Sequence, residues 1–387
     1  MAERLGNLGY LALKKESTKG TPVTPDTYAP LYEESLTTNL NLDEDTPVVG
    51  NKLARYQVLP GLRDHQGEIT VLAEPNTAAR FLDMLFYKSA TAGSNPYTHT
   101  FTLDNTNNPN AYTIDIAKGQ AVFRYMGVEA SQIGIDFDEN KMLFKITVSA
   151  LKSFTVREIA SVDTLALTLT TAYDPSPTTG LVAGDLIRIY KANGTVVDTT
   201  VTSVDSGTVV TVGSATGVAG GDTIALRPAT PSFTVVTPFM WGRTEFRFAA
   251  TAADALTAAQ TQVEDGSAWT AKHMFEDNAG AKRSGSFDPA ALVRTLGDVE
   301  FSAKMFFDTL DEYNRFLAIT KRSCVVRHFS GTAHELRITL NNLKATENTP
   351  PVKSGEIIYA DIKYVPTYDA SDAQGFDVKV INAISSI

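Results

Sequence analysis

The chain has 387 residues, of which 43% are hydrophobic and 20% charged. At roughly 100–200 residues per domain it can hold two or three domains, and that balance excludes an unfoldable or low-complexity chain. Its formal charge of −10 argues against a surface built to grip phosphate backbones, because such surfaces need clustered Lys and Arg.

The opening MAERLGNLGYLALKKEST carries an apolar run broken by Gly and Lys, without a small-residue cleavage site. No secretory signal is expected. No stretch approaches the ~18–20 apolar residues of a spanning helix, so the reading is a soluble protein made and assembled in a cytoplasm, with no membrane partner. Further on, short alternating runs bounded by Gly, Pro, Asn and Asp predict half-buried antiparallel strands: GEITVL (67–72), YTIDIA (112–117), MLFKITVSAL (142–151), TEFRFAA (244–250), ELRITL (335–340) and EIIYADIKYV (356–365). Helical spacing is confined to NTAARFLDMLFY (76–87) and DTLDEYNRFLAIT (308–320), each opened by an N-cap residue type.

Each predicted helix follows a strand, contains Arg-Phe-Leu, and is followed by a long alternating hairpin. A polar segment precedes each strand–helix unit, at 42–67 and 264–297. Matching order of four features reads as an internal repeat; chance likeness of two β-rich segments is the alternative. Between the halves the texture changes. There the only lysine is Lys191 and the aromatics reduce to Tyr173 and Tyr190, with short strands separated by Asn-Gly and other Gly-containing turns. The expected division is an N-terminal arm (1–35), a first β-rich unit (36–155), a small inserted all-β domain (156–231), a second unit (232–366) and a C-terminal tail (367–387).

The chain lacks G-x-S-x-G, a phosphate-binding G-x-x-x-x-G-K-[ST], H-E-x-x-H and G-x-G-x-x-G after a strand. No enzyme activity, cofactor or metal is therefore expected. Of the histidines His65, His99, His273, His328 and His334, the last two flank a turn at 330–331 and are the only pair that a hairpin could join. Cys324 lies in the apolar run SCVVRHF and reads as a buried inert thiol. The acidic run DEDTP (43–47) lacks the oxygen spacing of a calcium loop. Trp241, Trp269, Phe239 and Phe275 read as core or interface aromatics. A carbohydrate-binding or adhesive β-protein that uses the insert is the alternative function.

The arm KKESTKGTPVTPDTYAPLYEES (14–35), then PVVGNK (47–52) and GEITVLAEPNTAARFLDMLF (67–86), resembles the tail tube proteins of long-tailed, non-contractile bacteriophages. The resemblance implies a mainly β fold: two duplicated antiparallel β-sandwich or partial-barrel tube domains, each with one flanking helix, plus the insert on the outer surface. It also implies rings whose inner sheets join into a channel for DNA, stacked as the tail tube of a virion assembled in the host cytoplasm. With six tube domains per ring, a chain carrying two would form a homotrimer with pseudo-sixfold symmetry. Further implied partners are the tape measure, tail terminator and distal tail proteins, with duplex DNA passing unbound. The resemblance points to inter-ring contact loops carrying Asp43, Glu44, Asp45, Arg55, Tyr56, Arg63, Trp269, His273 and Arg283. For the lumen it points to Lys141, Lys145, Thr147 and Ser149, opposite the apolar Met142, Phe144, Ile146 and Val148. Arm and tail are expected to be ordered by neighbouring subunits.

Overall fold

The computed structural model describes residues 9–46, 55–104, 106–138, 140–170, 179–275, 286–352, 354–355, 357–368 and 375–387. It is mainly β. The first part comprises β1 (Tyr10–Lys15), β2 (Thr27–Ala29), β3 (Leu31–Glu34), β4 (Thr37–Asn39), β5 (Asp43–Asp45), β6 (Gln57–Leu59) and β7 (Asp64–Leu72). Then follow helix α1 (Pro75–Leu85), β8 (Tyr87–Ala92), β9 (Tyr97–Thr102), β10 (Tyr112–Lys118), β11 (Ala121–Asp138), β12 (Lys141–Ser149) and β13 (Lys152–Phe154). Strands β14 (Val156–Asp163), β15 (Ala166–Leu169), β16 (Leu186–Tyr190), β17 (Val196–Val204), β18 (Val209–Val212) and β19 (Thr223–Leu226) come next. The last part holds β20 (Thr244–Ala249), α2 (Ala252–Ala255), β21 (Gln260–Thr261), β22 (Glu264–Phe275) and β23 (Arg294–Phe306). It ends with α3 (Asp311–Leu317), β24 (Arg322–Ser330), β25 (His334–Thr349), β26 (Tyr359–Pro366) and β27 (Phe376–Asn382).

Two layers enclose one large core. The central layer runs β3/β4–β7–β12–β11–β22–β23–β26–β25. The second layer contains β2–β1–β10–β11–β13 in the first part and β21–β20–β24–β25–β27 in the last, the latter extended through β27 by β9 and β8 of the first part. Strands β11 and β25 belong to both layers: their N-terminal halves lie in the second and their C-terminal halves in the central one. Ile69, Ile133, Phe144, Ile146, Phe301 and Ile362, pointing from the central layer, meet Leu11, Leu13, Ile114, Ile338 and Val378 from the other. Alternation forces this, because successive residues of a strand face opposite sides.

The pairing pattern of the first part recurs in the last, down to its irregularities. Tyr112 lies opposite Val128, and after a bulge Ile114 lies opposite Tyr125; Arg322 lies opposite Leu343, and after a bulge Cys324 lies opposite Leu340. A second bulge sets Ala130 against Val148 and Gln132 against Thr147, as Ala345 is set against Tyr364 and Glu347 against Lys363. At the bulged positions Ser131 Oγ donates to Thr147 O at 3.3 Å and Thr346 Oγ1 to Lys363 O at 3.3 Å. Where each long strand bends between layers, Gly127 has φ +65° and Asn342 has φ +50°, and Gly and Asn are the residues that tolerate that left-handed region.

Strands β14 to β19 close into a six-stranded barrel in the order β14–β15–β18–β17–β16–β19–β14. Closure leaves no edge within it. Its own core, including Ile159, Leu167, Ile189, Val210 and Ile224, continues into Tyr10, Ala12, Val122 and Met126 on the back of the second layer. The barrel therefore lies on the side away from the exposed face of the central layer. Arg124 of β11 fastens it: the guanidinium bonds Asp115 at 2.7 and 2.8 Å and also Asp185 of the barrel, at 3.1 Å from Nη2.

Helix α1 starts at Pro75 rather than Asn76, with Glu74 at the cap position and no side-chain cap bond; proline is preorganised for a first helical turn. Helix α3 spans only Asp311–Leu317, shorter than the apolar spacing predicted, and Leu310 at its N-cap offers no bond. The four-residue α2, capped by Thr251, has too few residues to leave a periodic signal. Of the arm and tail, expected to be ordered by neighbours, the described strands pair within the chain: β1 pairs with β10 and β2, and β27 pairs with β25 and β9. YLALKK and FDVKVIN are short alternating strands whose signal is diluted by polar flanks.

Candidate functional site

The central layer turns one face to the core and the other to solvent. On the solvent side of β12 lie Lys141, Lys145, Thr147 and Ser149, while Met142, Phe144, Ile146 and Val148 of the same strand are fully buried. Ladder register carries that face across the layer. The carboxylates Glu33, Asp64, Glu68, Asp136, Asp298, Glu300, Glu347 and Asp361 outnumber the lysines Lys141, Lys145, Lys272, Lys304 and Lys363 on it. Several pair locally: Lys145 Nζ–Asp136 at 2.7 Å, Lys272 Nζ–Glu300 at 3.0 Å and Lys363 Nζ–Glu347 at 2.6 Å. The bond to Asp136, with the fields of Glu68 and Glu33, holds Lys145 above its ordinary pKa. The surplus is acidic.

Where the first and last parts meet, the layer is continuous. Strand β22 pairs with the edge of β11, setting Gln132 against Lys272, Ile133 against Ala271 and Gly134 against Thr270. The outer limits are different. At one, β4 is paired with β7 alone; at the other, the C-terminal half of β25 is paired with β26 alone, among the described residues. An unpaired strand edge offers backbone donors and acceptors to another strand.

The sequence-predicted contact residues fall into separate places. Asp43, Glu44 and Asp45 form β5, which pairs only with β6 among the described residues. Arg55 is ion-paired to Glu44, Gln57 Nε2 donates to Asp45 Oδ2 at 2.9 Å, and Tyr56 is 62% exposed. This hairpin stands off the core with Leu42, Val58 and Leu59 also exposed. Arg63 lies elsewhere: its backbone N–H donates to Phe287 O at 2.7 Å and its guanidinium reaches Asp288 at 3.4 Å. Burial opposes ionisation of Asp288, yet His65, 3.2 Å away, and Arg63 hold its carboxyl below the ordinary value. Trp269 and His273, expected in a loop, are on β22. Trp269 is core, and His273 is half-buried with burial and then the Arg294 charge lowering its pKa. Bulges on either side, at 264/268 and 273/275, break the period of two and make that strand read as irregular. Arg283 lies outside the described residues.

His328 is buried, shares a 2.8 Å bond with Thr244 Oγ1, and is held down to about pKa 3 by burial; His334 sits opposite Ser330 at the hairpin end. Burial pushes the Cys324 thiol well up, which suppresses the thiolate. Phe137 packs edge-on against Trp241, centroids 5.0 Å apart. Among the described residues no three His, Cys, Asp or Glu groups gather as a metal site.

An acidic sheet face, a two-layer core behind it and, among the described residues, two unmatched strand edges define a mainly β-protein without a recognisable catalytic constellation. The chain belongs to the phage tail tube protein family, whose pattern it matches over residues 6–366. That membership carries a structural role in a virion tail. No individual curated protein matches the chain.

Proposed function

We propose that the chain is the repeating unit of a tail tube wall, with two tandem tube domains (36–155 and 232–366) occupying successive positions around one ring. The observation that carries this reading is the β11–β22 junction: two parts with the same pairing register are already joined edge to edge, as neighbours in a ring would be. Each part supplies four strands to the central layer, counting β3 and β4 as one. Three chains would close about 24 strands, beyond the 16–18 that already leave an aqueous channel. The ring is then a trimer with pseudo-sixfold symmetry. The acidic face, with Lys141, Lys145, Thr147 and Ser149 on it, lines the channel and repels the phosphates of passing DNA. The barrel (156–231) stands outside, and the β5–β6 hairpin with Asp43, Glu44, Asp45, Arg55 and Tyr56 reaches the next ring. Tape measure, terminator and distal tail proteins are the expected further contacts.

Mass measurement of isolated rings, together with electron microscopy of the assembled protein, tests the reading. Rings of three chains stacked into tubes are the expected result. Rings of six would overturn the two-domain reading, and persistent monomers under all assembly conditions would overturn the tube role.

A further inference from the structure

We propose that β4 of one copy adds to the free edge of β25 in the next, in a register setting Asn39 against Glu347, Thr38 against Asn348 and Thr37 against Thr349. The inference rests on the tube reading above and names the surface through which it operates.

The register follows from ladder positions. Gln132 lies opposite Thr147 and Glu347 opposite Lys363, each just past the same bulge, so Gln132, Ile133 and Gly134 correspond to Glu347, Asn348 and Thr349. Likewise Thr37, Thr38 and Asn39 pair with Gln66, His65 and Asp64 of β7, as Thr270, Ala271 and Lys272 pair with Glu300, Val299 and Asp298 of β23. The internal junction joins Gln132–Gly134 to Thr270–Lys272. Transposed to the free edges, it joins Glu347–Thr349 to Thr37–Asn39. The edge is open in the right place: β10 runs along β11 to Val128 before β22 takes over, and β24 runs along β25 to Leu343, after which no strand follows among the described residues.

Two independent observations at this edge show that something is missing. Asn348, where the internal junction has Ile133, is 6% exposed, and both Oδ1 and Nδ2 lack a hydrogen-bond partner among the described residues. A buried unsatisfied amide is uncommon in a finished structure, and Thr38 would arrive opposite it with its hydroxyl already tied to His65 and Ser153 in a polar cluster.

The second observation is in the helices. Helix α1 is almost wholly buried, held by the last part through the Phe86–Phe376 contact (5.3 Å) and the Asn382 Nδ2 bond to Pro75 O (3.0 Å). Helix α3, in the corresponding place after β23, has no buried residue, and Leu310 and Leu317 are 58% and 62% exposed. In the first part, Ser153 and Phe154 hold the ladder positions of Phe376 and Asp377. They line a groove of about 310 Å³ that also contains Thr38. A groove of about 390 Å³ beside α3 contains Leu310, Tyr313 and Asn348. Each groove thus holds one member of the Thr38–Asn348 pair, and a second copy of this chain covers both.

Cysteine pairing tests the register. A Cβ at Gly134 would stand 3.6 Å from Thr270 Oγ1, so cysteines at the corresponding Thr349 and Thr37 come within disulfide reach. Assembled T37C/T349C protein, oxidised with diamide, is expected to give covalently joined copies, whereas T38C/T349C, with side chains on opposite faces, gives none. Amide hydrogen exchange of the unmodified protein gives a check free of substitutions: 37–39 and 347–349 are expected to gain protection on assembly. Leu317→Glu is expected to abolish rings while leaving the monomer's melting temperature unchanged. Tubes that form without the 37–349 link and without protection at these edges would overturn the register and leave the tube reading intact. Failure of the unmodified protein to form any ring would overturn that reading itself.

Discussion

Arg294 of β23 reaches across to Glu129 of β11, with Nη2 2.9 Å from Oε2, and both side chains are almost fully buried. The same guanidinium donates to the carbonyls of His273 and Met84 at 2.9 and 3.0 Å. It ties the end of α1, β11 and the β22–β23 pair into one joint beside the internal junction. Arg294→Ala strands Glu129 with Lys19 as its remaining ion-pair partner and leaves two carbonyls short of a donor. Removing one partner of a buried pair typically costs about 3–5 kcal/mol. Urea denaturation is expected to show a loss of that order, with Arg294→Lys recovering only part of it because an ammonium cannot span three acceptors in a planar fork.

The bends of β11 and β25 should respond unequally to alanine. At Gly127 a Cβ would meet Leu151 Cδ1 at 2.8 Å in addition to the left-handed strain; Asn342 already carries a side chain at φ +50°. Both Asn342→Gly and Asn342→Ala lose the Nδ2 bond to Thr367 Oγ1 at 2.7 Å, and Ala is expected to cost about 1 kcal/mol more than Gly because it alone adds left-handed strain. Gly127→Ala is expected to cost more than either in the same denaturation measurement.

Two buried groups give opposite pH slopes. His328, with its pKa held down to about 3, binds fewer protons folded than unfolded below about pH 6.5, so its contribution to stability falls as pH drops toward 3. Glu74, with its pKa raised by burial to about 7, binds more protons folded than unfolded above about 4.5, so its contribution falls as pH rises toward 7. Glu74→Gln is expected to flatten the melting-temperature profile on its alkaline side, between pH 5 and 8, and His328→Phe to flatten the acid limb. An unchanged profile in either variant would remove that group from the account.

Reversing charge on the acidic face should separate folding from passage. Asp64→Lys with Glu68→Lys alters solvent-facing side chains of β7, where substitutions away from packed features usually change stability by about 0.5 kcal/mol or less. Tubes built from this variant are expected to retain duplex DNA at low salt and release it as salt rises. Unmodified tubes are expected to retain none. Equal behaviour would mean that this face does not line the channel.

The alternation of MLFKITVSAL and EIIYADIKYV made the two faces of the central layer legible from residue order alone, because period two is strict wherever a strand separates core from water. Bulged strands were harder. In β22 the register slips twice, which hid Trp269 and His273 in an apparent loop. Strand β11 gives no local sign in VEASQIGIDFD that its two halves serve different layers. The closed barrel depends on β14 meeting β19 across the whole inserted stretch, a nonlocal pairing that no spacing rule encodes. The unmatched edges of β4 and β25 likewise become visible only when every other ladder is accounted for.

The β11–β22 joint, a strand pair formed within one chain, has a kinetic consequence for ring building. A strand pair formed within one chain is insensitive to dilution, so in a three-chain ring every second joint exists before any encounter takes place. Such a ring needs three joints between chains rather than six, and the high effective concentration of linked modules would act in folding rather than in assembly. Within such a ring, dilution would act on one kind of lateral joint, and the strength of that joint would set the concentration at which rings close.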